Sequence, residues 1–142
     1  MVRSRSQQLT ASDYRALADF RYQIRQFLHF SEKAARDAGI QPQQHQLMLA
    51  VKGTDPATEP TITQLAARMH LRHHSVVELA DRLSELGLIR KRRAEKDRRR
   101  VLLEITPRGE ALLRKLSIIH RAELKLLRAA LIKSLDELIH EK

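Results

Sequence analysis

Eight of the eleven residues at positions 90–100 are Lys or Arg, and β-prone residues hold this block on both sides: Leu88 and Ile89 before it, Val101, Leu102, Leu103 and Ile105 after it. Standing alone, so basic a run would repel itself and remain a solvated tail. Flanked by apolar β-formers, it reads instead as a long hairpin with a charged tip. Glu95 and Asp97 are its only acids, so +6 of the chain's formal charge of +10 falls in these eleven residues. A pI near 10.7 points to nucleic acid or another anionic surface, and the clustering says which part of the chain would meet it.

The segments before the hairpin carry helical periodicity. Thr10, Ser12 and Asp13 supply N-cap chemistry for a first helix that lasts until Gly39, a residue suited to the position after a helix end. Leu17, Phe20, Ile24, Phe27, Leu28, Ser31, Ala35 and Ala38 form one stripe along it, while Tyr22, His29 and Phe30 project elsewhere, so the helix is expected to be covered on two sides. Pro42 suits the first position of a second helix running to about Val51. A loop from Gly53 to Pro60 follows, then a short third helix with Thr63 as its N-cap and Leu65, Ala66 and Met69 inward. Leu71, Arg72 and His73 form a turn into a fourth helix, whose buried face is read as Val76, Leu79, Ala80, Leu83 and Leu86 and whose stop is Gly87. Two short helices joined by a tight turn and followed by a basic hairpin make a winged helix-turn-helix.

After the hairpin, Thr106 and Pro107 open a helical region in which Leu112, Leu113, Leu116, Ile119, Leu124, Leu127, Leu131, Leu135 and Leu138 recur at three- to four-residue steps almost to Lys142. No Gly or Pro says whether this is one bent helix or two. Long helices at both ends cannot bury their apolar faces on a small winged core, and a second copy of the chain is the economical cover. The expected fold is mostly α with a small β-wing: residues 41–106 as the winged helix-turn-helix, residues 1–40 and 107–142 as a helical dimerisation region.

Composition closes several other routes. The chain has no Cys, which removes disulfides, thiol redox sensing and Cys-ligated zinc. No apolar run approaches the length of a membrane span, and the stretch from Met1 to Thr10 is polar rather than signal-like, so a cytoplasmic protein is expected. No Gly-rich phosphate loop, nucleophile elbow or metal-spaced His pair is present, so no enzyme activity, cofactor or metal is expected. His73 and His74 are adjacent, and on a helix adjacent side chains diverge by about 100°, unlike the i, i+4 pair that zinc favours.

Three stretches in this order resemble the MarR family of transcription regulators: Thr63-Gln-Leu-Ala-Ala-Arg-Met, then Ser75-Val-Val-Glu-Leu-Ala-Asp-Arg-Leu-Ser-Glu-Leu-Gly-Leu-Ile-Arg, then Asp97-Arg-Arg followed by Val101-Leu-Leu-Glu-Ile-Thr-Pro-Arg-Gly. The resemblance covers nearly all of the chain from Ser12 onward. It implies a homodimer on a pseudo-palindromic DNA operator, commonly a repressor released by a small aromatic ligand, with a recognition helix in each major groove and a wing at each minor groove. By that resemblance His73, His74, Ser75 and Val77 are candidates for base edges, with Glu78 next along. Thr63 joins them from the third helix. Arg82 is a candidate for phosphate, with Asp81 pairing to basic neighbours. Asp97 would hold the wing loop while Arg99 enters the minor groove, and Arg92, Arg93, Lys96 and Arg98 would add phosphate charge. An effector pocket would draw on Tyr22, Phe27, Phe30 and Met48, residue types that also serve simply as core or interface. The competing reading is a winged-helix protein that coats nucleic acid with little sequence choice or acts through protein contacts. Glu78 and Asp81 count against it, since carboxylates near a DNA face weaken indiscriminate binding.

Overall fold

A computed structural model describes residues 7–140. Residues 1–6, part of the stretch read above as polar and not signal-like, and residues 141–142 lie outside that description. The elements run α1 (Ala11–Asp37), α2 (Pro42–Lys52), α3 (Ile62–Met69), α4 (His73–Glu85), β1 (Ile89–Arg93), β2 (Val101–Ile105) and α5 (Pro107–Leu138). The fold is mostly helical with one two-stranded antiparallel sheet, as the patterning implied. The region after the hairpin is one continuous helix. Among the described residues no helix is long and apolar enough to cross a membrane.

Two compact units divide the chain, one formed by Glu32–Ile118 and the other by Met1–Ser31 with Ile119–Lys142. These borders differ from those expected at 40/41 and 106/107, and the reason is burial. Ala34, Ala35 and Ile40 from the end of α1 and beyond, and Leu113 and Leu116 from the start of α5, sit in the same apolar core as the winged helix. In that core Leu47, Met48, Leu65, Val76, Leu83, Ile89 and Leu103 are almost wholly shielded from water. Leu86, read above as part of the buried face of α4, is exposed at the helix end instead.

In the helical unit, the start of α1 is closed by a reciprocal box. The Asp13 N–H donates to Thr10 Oγ1 (3.2 Å) and the Thr10 N–H to Asp13 Oδ2 (2.8 Å), so Thr10 rather than Ser12 is the cap. The packed face of α1 holds Ala16, Phe20, Phe27, Phe30 and Ser31. Leu17, Ile24 and Leu28, members of the predicted stripe, are exposed, and Phe30, placed off that stripe, is half-buried. His120 of α5 explains the rotation. Phe27 and Phe30 meet its ring edge-on at 5.9 and 5.4 Å, and its Nε2 lies 2.8 Å from Ser31 Oγ.

The hairpin pairs Ile89 with Ile105 through to Arg93 with Val101. The end of the α2–α3 loop joins the other edge of β2, where Thr61 bridges Leu102 and the Leu103 N–H donates to the Pro60 carbonyl (3.1 Å). At the hairpin's base, Thr106 Oγ1 donates to the Gly87 carbonyl (2.7 Å) and accepts from the Gly109 N–H (3.1 Å). Gly109 is buried here, and a Cβ on it would drive into the Leu88 carbonyl oxygen and approach Ile105 Cγ2 to 2.9 Å. Gly109→Ala is therefore expected to cost about 2 kcal/mol through overpacking against backbone that cannot retreat, read as a lower urea midpoint at unchanged m. An unchanged midpoint would show that the hairpin base can open to admit a methyl group.

Candidate nucleic-acid interface

The site is built on the turn between α3 and α4. Thr61, not Thr63, caps α3, its Oγ1 accepting from the Gln64 N–H at 3.2 Å, and Thr63 is exposed inside the helix. The threonine two residues earlier wins because its backbone is still extended, as the pairing with Leu102 requires. At the other end of α3, His70 takes the left-handed conformation (φ +54°), and the Leu71 N–H donates to the Ala66 carbonyl at 3.0 Å. That tight reversal lets α4 begin at His73 with Arg72 as N-cap.

Val76, Ala80 and Leu83 anchor α4 in the core with no exposed surface. The outward side therefore presents the predicted residues as a ridge between two grooves. One groove, of about 720 Å³, is lined by His73 and Val77 of α4, by Thr63 and Gln64 of α3, and by Lys91, Arg93, Arg99 and Arg100 of the hairpin. The other, of about 500 Å³, sets Ser75, Glu78 and Arg82 opposite Arg36, Gln41 and Gln43. His74 is exposed, on the ridge that helical spacing places between them. The structure thus brings Thr63, His73, Val77, Arg93 and Arg99 to one opening and Ser75, Glu78 and Arg82 to another.

The hairpin sorts its cations by strand parity and by partner. Lys91 and Arg93 share the face that looks into the larger groove, while Arg92 is on the other, where its Nε meets Glu104 Oε1 at 2.8 Å. Lys91 pairs with Asp81 of α4 and Arg100 Nη1 with Glu59 Oε2 at 3.2 Å. At the tip, Asp97 Oδ1 accepts from both the Arg99 N–H (3.1 Å) and Arg99 Nε (3.2 Å), and the Arg100 N–H donates to the Asp97 carbonyl (3.0 Å). Arg93 Nη1 donates to the Arg98 carbonyl (2.8 Å). Lys96 and Arg98 are exposed, and the Arg99 side chain is 93% exposed even while it touches Asp97. Sequence reasoning passed over Lys91, Arg100, Gln64 and Arg36. The alternation of side chains along β1 would have found Lys91, but the neighbours of Arg36 and Gln64 arise only from tertiary packing.

Of the residues proposed for an effector, Tyr22 is exposed and Phe27 and Phe30 are half-buried in the helical unit, whereas Met48 is fully buried in the core of the winged unit.

Residues 38–100 match the family model described as MarR family, which spans the helix-turn-helix and the hairpin up to the wing tip. Over that stretch, a little under half of the chain, the sequence is similar to the MarR family. AbsC, a MarR family transcriptional regulator from Streptomyces coelicolor, shares the fold with a TM-score of 0.72, over 94% of this chain and 93% of that one, at 19% identity. A mutant MarR from E. coli complexed with operator DNA matches over 84% of this chain and 86% of that one, with TM-score 0.64 and 18% identity. The PcaV transcriptional regulator from Streptomyces coelicolor, in complex with its natural ligand, is 27% identical over 61% of this chain and 60% of that one, with TM-score 0.51. No curated protein matches the sequence.

The fold moves the pKa of Asp97 at the wing tip. The Arg99 side chain, then the Arg99 N–H, and more weakly the charge of Arg100 hold it below the ordinary aspartate value of 3.8. A depressed folded-state pKa means that the tip gains order from this carboxylate at all pH values above the unfolded value and loses it as pH falls through the lower, folded one. The Arg99 and Arg100 amide resonances are accordingly expected to keep their neutral-pH positions down to pH 4 and to shift only below it. In Asp97→Asn the same shift should be present at pH 7.

Proposed function

We propose that this chain is a MarR-family transcription regulator, a sequence-specific repressor that binds a pseudo-palindromic operator as a homodimer. The observation that carries the reading is the shared opening of the larger groove, where the first turn of α4 and the almost fully exposed Arg99 of the wing face the same space. A helix held by Val76, Ala80 and Leu83 on one side offers His73, His74, Ser75 and Val77 for base edges on the other. Arg99 has the reach and charge for a narrow minor groove, and Asp97 orients its guanidinium beforehand. Lys96, Arg98 and Arg82 supply phosphate contacts that set register without choosing sequence. The structure of a related MarR with operator DNA supports the same partner here.

The second copy is supported by the helical unit. Leu17, Ile24 and Leu28 of α1, Leu124, Leu126, Ile132 and Leu135 of α5, and Ile139 just past its end are exposed, with Leu126 at 79%. Apolar surface on this scale is a contact surface rather than an ordinary protein exterior. Two-fold pairing of two such units would present two recognition helices at the spacing a palindrome requires. Leu126→Lys is expected to reduce the sedimenting mass from twice 16.4 kDa to that of one chain, and to weaken operator binding with it. A dimer of undiminished stability in Leu126→Lys and Ile132→Lys alike would move the interface elsewhere. Release by a small aromatic ligand completes the reading; PcaV, solved with its natural ligand, supports the part of it that a regulator of this fold binds a ligand.

Selection from a random duplex library at about 150 mM salt tests the whole proposal, because sequence-blind phosphate attraction is already much reduced there. The expected product is an inverted repeat with half-sites about one helical turn apart, bound roughly 10³-fold or more above random duplex. Recovery of no motif would instead support a low-specificity architectural or protein-binding role. On the selected site, Arg99→Gln should cost about 1–3 kcal/mol, and log K should fall with log salt at a slope of about −5 to −7.

A further inference from the structure

The carboxylates around the wing are distributed in a way that folding energetics does not account for. Glu59 from the α2–α3 loop, Asp81 from α4 and Glu104 from β2 each reach one hairpin cation: Arg100, Lys91 and Arg92, respectively. All six side chains are more than a third exposed, and ion pairs of that kind contribute little to stability. Their effect on the electrostatic potential is larger. Counting these three carboxylates with residues 90–100 lowers the net charge from +6 to +3, and each acts at ion-pair distance on a cation offered to phosphate. The neutralisation is also uneven. Lys91, Arg92 and Arg100 are paired with carboxylates from outside the tip loop, while at the tip Lys96 and Arg98 are exposed and Arg99, held only by Asp97 of its own loop, keeps its side chain 93% exposed.

We infer that Glu59, Asp81 and Glu104 are specificity-determining residues, a counter-charge set that lowers the wing's attraction for phosphate at Arg100, Lys91 and Arg92. The inference rests on the sequence-specific reading above. Binding to random duplex draws almost entirely on phosphate charge, so cations held by carboxylates subtract most from that mode. Operator binding adds base-edge contacts from α4 and a minor-groove contact from Arg99, none of which is one of the three paired cations, so it loses less. The set therefore widens the gap between operator and random DNA although none of its members needs to contact a base. It also explains why a chain with so basic a hairpin spends acidic residues from three separate elements on it.

The test compares the wild-type protein with E59Q/D81N/E104Q, using the selected operator and a random duplex of equal length. The triple variant is expected to bind random duplex about ten-fold more tightly at 150 mM salt, with a salt slope steeper by about two to three per protomer. Operator affinity should rise by less, so the specificity ratio falls. A control with the same change in charge on the helical unit, D19N/D136N/E137Q, should shift random-duplex affinity by less than two-fold. The inference is overturned if the wing triple leaves random-duplex affinity and slope unchanged, or if the control matches it. The three single variants, each expected to move affinity in the same direction, keep the question open to measurement should the triple fold poorly. Absence of any preferred site for the wild-type chain would defeat the sequence-specific reading alone, because the random-duplex comparison reports on the carboxylates separately.

Discussion

The wing's position depends on one crowded junction at the base of the hairpin. Gly87 ends the turn after α4 in a left-handed conformation (φ +73°), which no β-branched residue would tolerate, and the chain enters β1 directly. When it returns from β2, the Thr106 N–H donates to the Leu88 carbonyl at 3.2 Å and Thr106 Oγ1 donates to the Gly87 carbonyl. The same hydroxyl caps α5 through Gly109, whose missing side chain lets the helix pass against the strand. The end of the recognition helix, both ends of the wing and the start of α5 are thus fastened within a few residues. A long, mutually repelling hairpin tip can be positioned accurately only from a base as rigid as this.

Strand parity then decides what the rigid base presents. Ile89, Leu103 and Ile105 use one face of the sheet to join the core, and the continuation of that face toward the tip carries Lys91, Arg93 and Val101 into the groove beside α4. One alternation therefore serves packing at one end and recognition at the other. The α2–α3 loop extends the sheet through Thr61, which also caps α3. Helix start, loop and wing are coupled through that residue, so a shift in one is felt by the others.

Much of this was legible in the sequence because it is written in local terms. Caps, glycine stops, the run of β-formers and the basic block each follow from a few adjacent residues, and the order of elements followed from them. The errors came where two candidates satisfied the same local rule. Thr61 and Thr63 are both competent caps, and only the long-range bridge to Leu102 makes Thr61 extended and therefore the cap. Periodicity showed that α1 has an apolar stripe but not which part of it α5 would take. Contacts of His120 with Phe27, Phe30 and Ser31 settled that, turning Leu17, Ile24 and Leu28 outward. The residues proposed to face DNA could be named for the same reason as the caps, being in one turn of one helix or one loop. The resemblance already had Asp81 pairing to basic neighbours, but the Glu59 partner was not legible, since the α2–α3 loop meets the hairpin only through tertiary structure, and the Arg92–Glu104 pair depends on the register of the two strands.

Charge in this molecule is consequently two separate quantities. The total, +10, belongs to the composition and promotes association with any polyanion. The presented charge belongs to the fold, because each cation counts only to the extent that its neighbours leave it unopposed. Arg99 and Arg100 are adjacent in sequence, yet Arg99 is oriented by a carboxylate within its own loop and remains almost fully exposed, whereas Arg100 is drawn to Glu59 on another element. No property of the basic run itself distinguishes those two arginines. For a regulator that must leave most of the DNA it meets, the difference between them matters more than the charge they share, and tertiary structure is what creates it.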